Sequence, residues 1–315
     1  MRQRVLISDD QSERLRAPLA AAFPDVAFDA VLTAADAVPL CHEATAIISL
    51  AHTITAEMIA AAPKLRWIGA LTTGTDHLRS LEIPPGVIVT SARGLSATPV
   101  AEYTMMVMLA FVKRLPFVLA NQRNSFWTHT RGNTLEGRTV TIVGAGAISE
   151  ALARRAAAFG MHVTGVSAAR TDVPGFETVY PRERLAEAAA LADFLVVLVP
   201  QTDATRHLID ARVIAAMKQG AYLINVARGG VIDADALLAA LREGRIAGAA
   251  LDVFAPEPMP ADSPFWSLEN VIVSPHTAGD AWEIYQLALP LMATNLQAMI
   301  DGRPGDLINV VNLKG

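Results

Sequence analysis

A single cysteine, Cys41, occurs in 315 residues. That excludes an intrachain disulfide and leaves no thiolate cluster for a metal, so no metal site is expected. Basic residues are scarce as well: 26 Lys and Arg stand against 31 Asp and Glu, a net charge of −5. Without a basic excess or a basic run, no nucleic-acid partner is expected. Long hydrophobic runs are missing. The longest apolar helical stretch, Tyr103 to Val112, lies between Glu102 and Lys113 and falls short of the ~18 residues that span a bilayer. The opening MRQRVLISDD has too short an apolar segment for a signal peptide. A cytoplasmic protein with no membrane partner is the expectation. Charged residues make up 18% and hydrophobic ones 52%, which suits a globular chain of two ordinary domains.

The most informative stretch runs from Gly137 to Arg170. Val140, Ile142 and Val143 predict a strand buried on both faces. Gly144-Ala145-Gly146 follows at once. Ile148 to Phe159 then carries helix-forming residues with no Pro or Gly, and Gly160 stops the helix before a second strand at Val163 to Val166. Glycines in such a turn let the backbone approach a pyrophosphate, whose charge suits the helix N-terminus behind it. The turn at Gly144, Ala145, Gly146, Ala147 and Ile148 is therefore a candidate dinucleotide site. Ser149 occupies the third glycine position and is expected to loosen the helix against the strand without removing the phosphate site.

Upstream, short apolar runs alternate with helical segments. Strands are predicted at Val5 to Ile7, Ala46 to Ile48, Trp67 to Leu71 and Val87 to Val89, and helices at Ser12 to Phe23 and Ala56 to Ala62. The first strand ends in Asp9-Asp10, read as helix-capping carboxylates rather than the acidic pocket of a phosphoreceiver. Thr98-Pro99 reads as N-cap and first position of a long helix, apolar all round from Met105 to Val112 and so buried between layers. Gln122 to Glu136 reads as a polar lead-in. Downstream strands are predicted at Phe194 to Val199, Ala221 to Val226, Ala249 to Val253 and Val271 to Val273. Helices fit at Arg182 to Ala192, Ala211 to Met217, Ala234 to Glu243 and Ala281 to Ile300, the last kinked by Pro290. Alternation of this kind means parallel sheets.

Parallel sheets bind ligands beyond the carboxyl ends of their strands. Behind three successive strands of the second half stand Arg228, Glu257 and His276. Together they suit hydride exchange at a carbonyl. A histidine moves the proton, a carboxylate holds the histidine in its charged form, and an arginine fork clamps an oxo-acid.

At this point NVARGGVID, LDVFAPEP and SPHTAG, downstream of VGAGAI, resemble the signature of the D-2-hydroxyacid dehydrogenase family. The resemblance extends to VAEYTMMVMLA and LEGRTVTIVG, and covers most of the chain. It implies an α/β fold of two doubly wound parallel-sheet domains. A Rossmann dinucleotide-binding domain (98–282) would be inserted in a flavodoxin-like substrate domain (1–97 plus 283–315). It implies that Arg228, Glu257 and His276 are catalytic and that Val199, Pro200, Thr205, Val226, Ala227, Asp252, Ala278 and Gly279 border the cofactor. It further implies that Thr73-Gly74-Thr75-Asp76 offers backbone N–H groups to the substrate carboxylate, that Leu50 and Ala51 border its side chain, and that the protein is a homodimer built around the nucleotide domains. Trp127 is a candidate to reach a partner's site, or a packing tryptophan. Two departures stand out: Ser149, and Tyr103 where a histidine is common after VAE. Glu257 argues against the formate dehydrogenase branch, which lacks it.

Where an NAD-preferring enzyme places an acid at the end of the second strand, this chain has Ser167, followed by Ala168-Ala169-Arg170. Ser167 and Arg170 could hold a 2′-phosphate by hydrogen bond and charge; the plain alternative is a solvated loop arginine. NADP(H) is favoured and NAD(H) is the alternative. The expected function is reduction of a small 2-oxo acid to the D-2-hydroxy acid, of the glyoxylate or hydroxypyruvate type. Its rivals are an NAD-dependent dehydrogenase of other substrate range and a nucleotide-sensing regulator of the same fold.

Overall fold

Buried, mostly β-branched runs build the first sheet of the computed structural model, which describes residues 3–313. They form β1 (Arg4–Ser8), β3 (Ala46–Ser49), β4 (Trp67–Ala70) and β5 (Ile88–Thr90), joined by β2 (Ala27–Val31). The order is β2-β1-β3-β4-β5 with every pairing parallel, the flavodoxin-like arrangement. Strand β2 has no fully buried residue, consistent with its place at the edge, and so lacks an apolar signature. Helices α1 (Ser12–Ala22), α2 (Ala34–Ala37) and α3 (Ala56–Ala60) connect these strands. Thr33 and Thr55 cap α2 and α3 by accepting the amides of Asp36 and Met58.

The capping role expected of Asp9 is not what forms. The cap residue of α1 is Gln11, with no side-chain bond. Asp9 is instead buried, its Oδ1 accepting the Gln11 amide at 2.8 Å and the Tyr285 hydroxyl at 2.7 Å. Its Oδ2 is buried without a partner. Burial pushes this carboxyl above its ordinary value, and the neighbouring Asp10 adds to the shift.

The second unit, Ala97–Asp280, opens with α4 (Ala97–Val112) and α5 (Leu115–Arg123). Helix α4 begins one residue before Thr98, which lies in the first turn rather than capping it. Most of α4 is core, but Met106 is 52% exposed, so the helix is not buried on every side as its composition suggests. The segment read as a polar lead-in begins inside α5, none of whose residues is buried. No single helix among the described residues is long and apolar enough to cross a membrane.

Next come β6 (Thr139–Val143), α6 (Ala147–Ala158), β7 (His162–Ser167) and β8 (Thr178–Pro181). They are followed by α7 (Leu185–Leu191), β9 (Phe194–Val197), α8 (Ala211–Ala216) and β10 (Tyr222–Asn225). Helix α9 (Ala234–Arg242), β11 (Gly248–Leu251) and β12 (Val271–Val273) complete the unit. The seven strands run β12-β11-β10-β9-β6-β7-β8, all parallel. One apolar layer packs α7, α8 and α9 against the sheet, and the other packs α4 and α6. Strand β6 pairs with β9 on one side and β7 on the other. The glycine turn therefore lies where the winding reverses, the usual ligand position in open α/β sheets.

The chain then returns to the first unit, which holds the described residues up to Ser96 and from Ala281 onward. Helix α10 (Ile284–Ile300) lays Ala288, Met292 and Leu296 on Val5, Ile7 and Trp67. Gly302, at φ +66, follows its end. Buried Asn295 exchanges bonds with the Ile308 amide and carbonyl. Val310 forms an antiparallel bridge to Thr90.

Candidate active site

The glycine turn is built for close approach. Gly144 has φ +119, and a Cβ there would lie 2.5 Å from the Leu198 carbonyl oxygen. Gly146 caps α6 without a side chain, and a Cβ on it would meet nothing within 4 Å. The first turn of α6 thus has no side-chain cap and open space beside its N-cap residue, which suits an anionic phosphate. A dinucleotide fits this cradle. Ser149, at the third glycine position, is buried, and its Oγ has no hydrogen-bond partner.

At the end of β7, Ser167 Oγ accepts the amides of Ala169 and Arg170, folding the loop back on itself. Arg170 is exposed but tethered. Its Nη1 bonds Glu150 Oε1 at 2.6 Å and the Ala145 carbonyl at 2.8 Å. Past β9, Thr205 Oγ1 donates to the Pro200 carbonyl and accepts the Thr202 amide, closing the turn after Val199.

Arg228 follows β10 on a turn held by Asn225. The Asn225 carbonyl oxygen accepts the Ala227 amide and its amide nitrogen donates to the Arg228 carbonyl. Gly229 is required sterically, while at Gly230 only the mobile end of Gln201 stands in the way. A Cβ on Gly229 would lie 2.1 Å from the Phe254 carbonyl carbon, and one on Gly230 would lie 2.6 Å from Gln201 Oε1. Val226 and Ala227 are buried behind the arginine.

Glu257 and His276 meet. Glu257 Oε1 accepts the Phe254 amide at 2.8 Å, while Oε2 lies 2.7 Å from His276 Nδ1. A carboxylate can only accept here, so Nδ1 carries the proton and Nε2 is the nitrogen left for a substrate. His276 stands at φ +58, a conformation uncommon for residues other than glycine. Asp252, buried at the end of β11, organises that segment. Its carbonyl accepts the His276 amide at 2.7 Å, Oδ1 accepts the Thr277 amide at 2.9 Å, and Oδ2 accepts the Ala278 amide at 2.9 Å. Gly279 follows the buried Ala278.

Ser274 Oγ also donates to Asp252 Oδ1, at 2.5 Å, and Tyr103 Oη lies 2.5 Å from Ser274 Oγ. Burial raises the Tyr103 phenol above its ordinary value, and the charge of Asp252 adds to this. Asn225, Ser274 and Tyr103 went unnoticed as site residues in the sequence. For Asn225 and Ser274 the available signal was a polar residue at the end of an apolar strand; for Tyr103 it was the departure from the histidine common after VAE.

In the first unit, Leu50 and Ala51 follow β3, with Ala51 buried. Thr73, Gly74 and Thr75 follow β4 in a loop braced by side-chain bonds. Thr72 Oγ1 donates to the Gly74 carbonyl at 2.7 Å, and Thr73 Oγ1 lies within reach of the Ala92 carbonyl and Ser96 Oγ. Leu50, Ala51 and the 73–75 loop thus share the carboxyl-end rim of the first sheet.

Two family models match the chain. The D-isomer specific 2-hydroxyacid dehydrogenase catalytic domain matches residues 5–171, and the corresponding NAD binding domain matches residues 105–278. A glyoxylate reductase of Thermofilum pendens is 37% identical over 277 residues, covering 84% of this chain and 81% of the relative. A D-3-phosphoglycerate dehydrogenase of Methanocaldococcus jannaschii is 37% identical over 267 residues, covering 82% of this chain. This chain spans only 50% of that relative's length. Among solved structures, an NADPH-dependent glyoxylate/hydroxypyruvate reductase from Sinorhizobium meliloti, in complex with NADP and sulfate, superposes with a TM-score of 0.84 at 26% identity. The match covers 99% of this chain and 98% of that one.

Proposed function

The chain belongs to the D-isomer specific 2-hydroxyacid dehydrogenase family, and from that premise we propose that it is an NADPH-preferring reductase of small 2-oxo acids. The observation that carries this reading is the bond between His276 Nδ1 and Glu257, 2.7 Å long, behind a glycine turn open to phosphate. A nicotinamide dinucleotide, when bound at that turn, supplies the hydride. His276, oriented by Glu257, gives the Nε2 proton to the carbonyl oxygen as it becomes an alcohol, and the Glu257 carboxylate stabilises the imidazolium before transfer. The guanidinium of Arg228 polarises that carbonyl and clamps the neighbouring carboxylate. For the first unit, the family reading assigns carboxylate-binding amides to Thr73, Gly74 and Thr75 and the border of a substrate side chain to Leu50 and Ala51.

Preference for NADPH is supported by Ser167 and Arg170, which place a hydroxyl and a cation where an acid would repel a 2′-phosphate. The NADP-bound Sinorhizobium structure and the Thermofilum glyoxylate reductase make glyoxylate and hydroxypyruvate the first substrates to try. The protein's setting in this reading is the cytoplasm, a reducing compartment that suits its single thiol. The test is a panel of 2-oxo acids assayed in parallel with NADPH and NADH. Turnover of glyoxylate or hydroxypyruvate with NADPH supports the reading, and no turnover of any oxo acid with either cofactor overturns it.

The same reading includes a homodimer. Helix α5 buries none of its residues, yet carries exposed Leu115, Phe117, Val118 and Leu119, with Phe126 and Trp127 exposed beyond it. Apolar surface on this scale suits a second copy of the chain. Sedimentation of the native protein and of Phe117→Asp should report a dimer and a monomer respectively; a wild-type monomer contradicts this part.

A further inference from the structure

We infer that Tyr103 is a positioning residue for the proton-donating histidine, acting from α4 through Ser274 and Asp252. The directions of the bonds carry the argument. Ser274 has one hydroxyl proton, and the carboxylate Oδ1 of Asp252, 2.5 Å away, can only accept it. The Tyr103 hydroxyl, 2.5 Å from the same Ser274 oxygen, must then be the donor of that pair. A one-way chain results, from phenol to serine to carboxylate. Raised by burial, the phenol keeps its proton throughout the neutral range and remains a donor.

Asp252 is where the chain meets the chemistry. It is 1% exposed; its carboxylate accepts the Thr277 and Ala278 amides, and its main-chain carbonyl accepts that of His276. His276, whose left-handed backbone at φ +58 is disfavoured for a side chain with a Cβ, depends on the carboxylate through the two residues that follow it. A buried carboxylate left short of donors would turn to find others and release the segment. Donors in series polarise one another, so the terminal phenol strengthens the serine's grip on Oδ1. The tyrosine that departs from the family's common histidine thus has a defined task at the far end of a relay. Tyr103 touches neither substrate nor cofactor in this account; it fixes where the imidazole stands.

The kinetic arm rests on the hydride-transfer reading, and the spectroscopic arm does not. In NADPH oxidation with glyoxylate, Tyr103→Phe and Ser274→Ala should each lower kcat by about 3- to 10-fold, the worth of one hydrogen bond. NADPH affinity, followed by fluorescence titration, should stay within about twofold of wild type if only the relay is lost. The double variant should be no worse than the poorer single one, because both cut the same chain. Ser274→Thr, which keeps the hydroxyl, should recover most of the rate. In a sample carrying ¹³C-histidine, the His276 ring resonance, assigned through His276→Gln, should broaden or double in Tyr103→Phe. Should that variant fail to fold, Ser274→Ala against Ser274→Thr reads the same chain from its other member. Losses that multiply in the double variant, or a His276 resonance unchanged by cutting the relay, overturn the proposal. Absence of turnover in wild type would count against the enzymatic reading alone, since the resonance still reports the relay.

Discussion

Arg170 Nη1 lies 2.6 Å from Glu150 Oε1, so the cation behind the second strand of the nucleotide unit is tied to the first turn of α6. The pair is partly exposed, with the glutamate more enclosed than the arginine. A 2′-phosphate drawn to Arg170 would have to compete with this carboxylate and tolerate its charge. Glu150→Gln should therefore tighten NADPH by about 3- to 10-fold, corresponding to roughly 1 kcal/mol for a partly screened pair, and leave NADH nearly unchanged. Parallel fluorescence titrations with the two nucleotides measure the difference. Equal shifts for both would mean that Arg170 does not read the 2′-phosphate.

Removing the imidazole should hurt turnover far more than binding. His276→Ala should lower kcat by about 10²- to 10⁴-fold, the usual worth of a positioned acid or base. Glu257→Gln keeps an acceptor oxygen but loses the charge that favours the imidazolium, so a smaller loss of about 10- to 100-fold is expected. Steady-state rates with saturating NADPH check both. Undiminished turnover in His276→Ala would remove it from the mechanism.

Two glycines near the site should respond oppositely to a single methyl group. At Gly229 the methyl collides with Phe254 main chain at 2.1 Å, and main chain cannot step aside. Gly229→Ala should cost about 1–3 kcal/mol or more, the range for overpacking, visible as a lower urea midpoint. Gly146→Ala meets open space at an ordinary φ of −97. Its stability should change by less than about 0.5 kcal/mol, as at unconstrained sites, while NADPH binding weakens because the methyl intrudes on the phosphate cradle.

Asp9 makes the pH dependence of stability predictable in sign. Burial raises its folded pKa above the ordinary 3.8, so the folded state holds the proton more tightly than the unfolded chain. Its contribution is fully present below the unfolded value and is lost as pH rises through the folded one. Asp9→Asn keeps an acceptor for Tyr285 and Gln11 but cannot ionise. The variant should melt higher than wild type at pH 8, with the gap closing as pH falls toward 4. A gap independent of pH would show that Asp9 does not ionise differently on folding.

Much of this architecture was legible. Buried runs such as Val140 to Val143 and Phe194 to Val197 read as strands because parallel sheets bury both faces. The turn at Gly144 was legible from its glycines. What escaped notice was set by edges and by distant partners. Strands β2 and β8 lie at sheet margins, are only partly buried, and carry little apolar pattern. Helix α5 escaped because none of its residues is buried, so its apolar residues follow no core-facing stripe. Asp9 looked like a cap, since nothing local announces a tyrosine 276 positions away. The same holds for Tyr103 and Ser274, separated by 171 positions and joined through register alone. Arg228, Glu257 and His276 could be singled out because each follows a strand directly. That Glu257 would spend its other oxygen on the Phe254 amide could not.

The discontinuity of the first unit has a consequence for biosynthesis. Its sheet leaves the ribosome before the second unit, but the helix that covers Val5, Ile7 and Trp67 is made only after that unit. During elongation that apolar face waits uncovered while the whole intervening unit, continuous in sequence, emerges and can fold by itself. A nascent chain arrested before Ile284 should hence carry a finished nucleotide-binding unit beside an unfinished sheet, a natural client for chaperones until α10 arrives.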